Sequence, residues 1–150
     1  MEVAVNSKHG VILLTLAALI AICTGLAHLS CIYFGPECYA AQLAPPIIVE
    51  SAKAGTFLAP LGAIFASAIY ILLGCYALSG AKIIRKLPLL KFGIYTIAFV
   101  CIVRGILPLQ LWLRQPDKVS DAVFYTGIVW LIAGLLYFFG FRASHNRNRF

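Results

Sequence analysis

Four long apolar runs leave this chain one fold class. They extend from about Gly10 to Phe34, Gly55 to Leu78, Phe92 to Leu113 and Val123 to Phe141, each long enough to cross the hydrocarbon core of a bilayer. A backbone in lipid must bond its own amides and carbonyls, so a spanning segment is a helix or a strand of a closed barrel. The alternating pattern of a barrel is absent, and all four runs are predicted helices. The expectation is an all-α membrane protein, a four-transmembrane-helix bundle in a single membrane domain over residues 1–150. Composition agrees: 62% of the 150 residues are hydrophobic and 11% charged, outside the range of a soluble globular domain.

The first run resembles a secretory leader in position but not in length. A leader's apolar region spans about 7–15 residues and ends at a small-x-small cleavage site, whereas this run continues through His28 to Tyr33 and Phe34 before the turn pair Gly35-Pro36. We therefore expect a permanent first helix. The longest connection, Gly35 to Ala54, carries Pro45-Pro46, and the stretch after it is expected to begin an interfacial turn of helix.

Orientation follows from the basic residues. Lys8, Lys82, Arg85, Lys86, Lys91, Arg142, Arg147 and Arg149 fall on one side, whereas Lys53, Arg114 and Lys118 fall on the other with Glu37, Glu50, Asp117 and Asp121. The positive-inside rule then puts both termini and the middle loop in the cytoplasm. Tyr33, Phe34, Tyr39, Trp112, Phe124 and Tyr125 form an outer aromatic belt, and Tyr76, Phe92, Tyr95, Tyr137 and Phe141 an inner one. The net charge of +7 is dispersed at the ends of apolar runs rather than gathered in a stripe, which argues against nucleic acid as a partner.

A faint internal match runs at an offset of sixty positions, aligning Ile69-Tyr70 with Val129-Trp130, Gly74 with Gly134 and Gly80 with Gly140. Duplication would give two parallel helical hairpins related by an axis along the membrane normal. Shared helix-packing composition explains the same match. Small residues also recur at Ala59, Ala63 and Ser67, with Gly55 read one step earlier on the same face, and this seam is expected to pack within the chain.

Arg104 is the leading candidate for chemistry. It lies near the middle of the third run, where an arginine costs about 2.5–3.5 kcal/mol and is usually turned toward a partner, cavity or interface. Pro108, one turn later, cannot donate to the carbonyl of Arg104, so a kink is expected. Gly105 leaves room for a neighbouring helix or ligand. Glu50, His28 and Gln110 are the expected co-lining residues of an inward-facing ligand site, with Glu50 and Glu37 as counter-ions. The alternative is that Arg104 snorkels and anchors its helix at a carboxylate or lipid phosphate.

Five cysteines are present, without CxxC or histidines at zinc-ligand spacing, so no metal site and no cofactor is expected. Cys23, Cys75 and Cys101 read as packing residues. Cys31 and Cys38 flank Gly35-Pro36 and are a candidate disulfide in an oxidising compartment, structural in role. No nucleophile–base pair or phosphate-binding glycine loop occurs, and catalysis is not expected.

The segment Tyr76-Ala77-Leu78-Ser79-Gly80, with Leu87-Pro88-Leu89-Leu90 and Arg104-Gly105, resembles small uncharacterised four-span inner-membrane proteins of Gram-negative bacteria over roughly the last two-thirds of the chain. The resemblance implies a multi-pass protein of the inner membrane and carries no reaction. The expected function is non-enzymatic binding of an anionic amphiphile, lipid head group or partner around Arg104, in support of the cell envelope. Membrane lipid is the expected partner, with a homodimer or another membrane protein as further partners. Two alternatives belong to other classes. One is a small transporter of an anionic substrate, although four-span multidrug exporters need a membrane-embedded carboxylate that no run here contains. The other is a quinone-linked thiol protein, although the CxxC and second periplasmic pair such enzymes use are missing.

Overall fold

The computed structural model describes residues 2–115, 117 and 119–145; Lys118, Arg147 and Arg149 of the basic asymmetry lie outside the described residues. Within them the protein is all-helical: α1 Glu2–Phe34, α2 Pro36–Ala41, α3 Pro46–Lys53, α4 Leu58–Gly80, α5 Leu90–Arg114 and α6 Asp121–His145. Four of these helices, α1, α4, α5 and α6, are long and apolar enough to cross a membrane. The protein is a multi-pass membrane protein whose large exposed side chains, among them Leu19, Leu26, Leu61, Phe65, Phe99 and Leu107, suit contact with lipid tails rather than water.

The chain forms two compact units, Met1–Ala18 with Cys75–Phe150, and Leu19–Gly74. In the first, Leu14, Ala17, Ala18, Ala77, Ala81, Leu90, Ile94, Ala98, Tyr137 and Phe141 make one buried cluster. Small residues let its helices meet at backbone distance. A methyl group on Gly134 would lie 2.9 Å from the Ala98 carbonyl oxygen, and one on Gly105 would lie 2.8 Å from the Gly127 carbonyl oxygen. These pairings run in opposite directions along α5 and α6, so the two helices are antiparallel. The buried positions of α5, Leu90, Ile94, Ala98, Cys101 and Gly105, follow one another in steps of four or three, the spacing that keeps one seam facing a neighbour. Gly140 meets Leu13 and Leu14 of α1, and Gly80 meets Ile94, Leu14 and Phe141.

In the second unit, Gly35 ends α1 with φ 80°, a conformation open to glycine at little cost, and Pro36 starts α2 at a position where its missing N–H is no loss. A turn was expected at this pair, and a short helix follows it. Pro46 opens α3 in the same way, so the stretch after the proline pair is helical as expected. Ser51 of α3 then caps α4: its Oγ accepts from the Ala59 amide at 2.9 Å and bonds the Thr56 hydroxyl at 2.6 Å. Gly55 does not belong to the small-residue seam. It precedes α4 with φ 66° and forms the turn that precedes the helix. The rest of the seam is buried, with Ala59 and Ala63 packed with Cys31 and Tyr39 and the Ser67 carbonyl 3.2 Å from the place a methyl on Gly25 would occupy.

Candidate functional site

Arg104 owes its position to Gly105. Because Gly105 has no side chain, α6 approaches until a methyl there would lie 2.6 Å from the Leu131 nitrogen. The preceding residue on each helix, Arg104 and Trp130, is then brought alongside, and the Arg104 guanidinium carbon lies over the Trp130 ring at 5.3 Å from its centroid. The helical turn of about 100° per residue carries Arg104 off the buried seam, and it is exposed. The expected inward pocket is therefore not the geometry found in this unit: the guanidinium sits on an open face.

Magnitudes show how incomplete this arrangement is. A cation–π contact at an exposed site contributes about 0.5–1 kcal/mol, whereas a mid-span arginine costs about 2.5–3.5 kcal/mol. Trp130 offsets only part of that cost. Among the described residues the ion pair within reach is Lys53 with Glu50, at 3.1 Å, and Arg104 joins none.

The other expected site residues are dispersed. Gln110 is exposed on α5, but six residues of helix turn it well away from the face of Arg104, which Leu107 and Leu111 share. His28 belongs to the second unit, where its ring stacks on Tyr70 at 5.0 Å and 15° between planes. Glu50, also in the second unit, is engaged by Lys53. Cys31 and Cys38 are joined by a disulfide, with Cα atoms 5.1 Å apart. This corner is braced further by Gln42, whose side-chain amide donates to the Ala27 carbonyl at 2.6 Å. Two buried hydroxyls, Tyr39 Oη and Ser67 Oγ, have no hydrogen-bond partner among the described residues.

Three residues were not read as site components. Trp130 carried a signal, since it lies about 13 Å along α6 from Asp121, deeper than an interfacial belt requires. Tyr76 and Ser79 stand just before the basic connector, and they pin it. The Tyr76 hydroxyl donates to the Pro88 carbonyl at 3.2 Å; Ser79 Oγ donates to the Arg85 carbonyl at 3.1 Å and accepts from the Leu87 amide at 2.9 Å. A tyrosine and a serine one turn apart at a helix end, followed by a proline-containing connector, were visible as a pattern but had no partners until the chain turned back. No protein-family model, curated protein or solved structure matches the chain.

Proposed function

We propose that this chain is a non-enzymatic protein of the bacterial inner membrane that binds the anionic head of an amphiphile or lipid at Arg104. The observation that carries the reading is the exposed guanidinium at mid-span, lying over Trp130 and joined to no carboxylate among the described residues. Its planar fork suits a phosphate or carboxylate, and the apolar faces of Leu107 and Leu111 beside it suit an acyl chain. Both termini lie in the cytoplasm on this reading, which rests on the basic asymmetry, and the resemblance of the Tyr76–Gly80 and Leu87–Leu90 segments supports a bacterial inner membrane. Support of the envelope, rather than turnover of a substrate, is the role that fits. Native mass spectrometry of the protein extracted in mild detergent tests it. An anionic amphiphile should co-purify with the wild type and be depleted in Arg104→Ala, and equal retention in both would remove the site.

A further inference from the structure

The end of the first unit where α1 begins, α4 meets α5 and α6 closes carries a second cationic surface, independent of Arg104. Lys8, Lys82, Arg85, Lys86, Lys91 and Arg142 are all exposed there. They come from α1, the α4–α5 connector, α5 and α6, and the contacts of Gly10 with Ser144 and of Gly80 with Leu14, Ile94 and Phe141 draw these elements to one end. Of the carboxylates in this unit, Asp117 and Asp121 lie at the opposite end of α5 and α6, and Glu2, the first residue of α1, is the one at this end, against six cations. None of the six cations has an ion-pair partner among the described residues.

Loose basic residues at a membrane face are an ordinary topology signal. Here the connector is tied down. Ser79 holds it from both sides through Arg85 and Leu87, and Tyr76 holds Pro88. Lys82 and Leu89 take left-handed backbone conformations, φ 63° and 51°, which a residue with a side chain seldom adopts unless its surroundings hold it there. The path between Ser79 and Leu90 is thus fixed, and with it the spacing of Lys82, Arg85 and Lys86.

We infer that this pinned connector is a binding platform for the phosphodiester head group of an anionic phospholipid, with Lys82, Arg85 and Lys86 as its contacts and Ser79 as a positioning residue. A phospholipid is favoured over a soluble anion because the cations ring helix ends that emerge from the bilayer, where lipid phosphates are concentrated and each basic residue adds to attraction.

The test uses the full chain in neutral detergent, exposed to phosphatidylglycerol or phosphatidylcholine with the same acyl chains, with bound lipid counted by native mass spectrometry. The wild type should retain phosphatidylglycerol several-fold over phosphatidylcholine, and Lys82→Gln/Arg85→Gln/Lys86→Gln should bring the ratio to parity. Ser79→Ala keeps every charge and should lower the preference clearly. Tyr76→Phe, which deletes only the bond to Pro88, should lower it in the same direction if Ser79→Ala proves poorly folded. Inorganic phosphate should not displace the lipid. Equal retention by the wild type, a preference that survives the triple substitution, a preference untouched by freeing the connector, or displacement by phosphate would each overturn the inference.

Discussion

Gly105 faces Leu131 so closely that a methyl group on it would sit 2.6 Å from the Leu131 nitrogen and 2.7 Å from its Cβ. Neither atom is the free end of a flexible chain, so α5 and α6 must separate to admit even alanine. Overpacking of this kind costs about 1–3 kcal/mol. We expect Gly105→Ala to lower the thermal midpoint in detergent. Gly62→Ala serves as the control, because its added methyl would meet only the Ile48 Cδ1 tip at 3.3 Å and it gains up to about 1 kcal/mol in helix propensity. Equal midpoints for the two variants would contradict backbone contact at Gly105.

Tyr39 gives a pH-dependent test. Burial pushes its phenol pKa up, while an unfolded tyrosine loses its proton near about 10. Above that pH the folded state retains the proton that the unfolded state releases, so the group makes stability fall as pH rises. At neutral pH both states are protonated and Tyr39 adds no slope. Tyr39→Phe removes the ionisable group and also a buried hydroxyl without a partner among the described residues. We expect it to be at least as stable as the wild type at pH 7 and to lose stability less steeply in alkali, measured by thermal unfolding at a series of pH values. A steeper alkaline loss would contradict this.

The Cys31–Cys38 bond should be present in protein taken directly from membranes, and mass mapping after alkylation without reductant reads it. Closing so short a loop contributes roughly 2–3 kcal/mol in the chain-entropy view, so Cys38→Ser should lower the thermal midpoint as well. Two alkylated thiols in the native protein would remove the bond.

Sequence periodicity located the four spans because each apolar run exceeds any soluble alternative, but it set their ends by polarity and not by hydrogen bonding. Hence α5 begins at Leu90, before Lys91, and α6 continues past Phe141 to His145: charged residues at an interface stay helical while their heads reach water. The helix α2 was hidden because Gly35-Pro36 reads equally as a turn and as a helix start. The face of Arg104 was illegible for another reason. A span that is apolar all round has no stripe to say which side is buried, so Gly105 announced a close neighbour without naming α6. Polarity and charge alone group His28 and Glu50 with Arg104, whereas side-chain pairing is decided locally, by Tyr70 and Lys53.

Burial also decides how orientation should be measured. Ser79 and Ser144 are 2% and 3% exposed, so cysteines there would resist any reagent whichever side they faced. Exposed Lys82 and Ser120 are better positions, each replaced by cysteine in a chain without native cysteines. In intact cells a membrane-impermeant thiol reagent should label Ser120→Cys and spare Lys82→Cys, which should react once the membrane is opened. The reverse pattern would invert the topology drawn from the basic residues.

Arg104 and Trp130 together provide the most direct measurement of the proposed site, because an anion gripped by the guanidinium must alter the ring beneath it. In a Trp112→Phe background the emission of Trp130 alone can be followed while dodecyl phosphate is added to the full chain in neutral detergent. We expect a saturable change in emission for the Arg104 protein. Its midpoint should weaken several-fold in Arg104→Lys, which keeps the charge and loses the planar fork, and the change should be absent in Arg104→Ala. Identical titrations for arginine, lysine and alanine at this position would show that Arg104 is an anchor and not a binding residue.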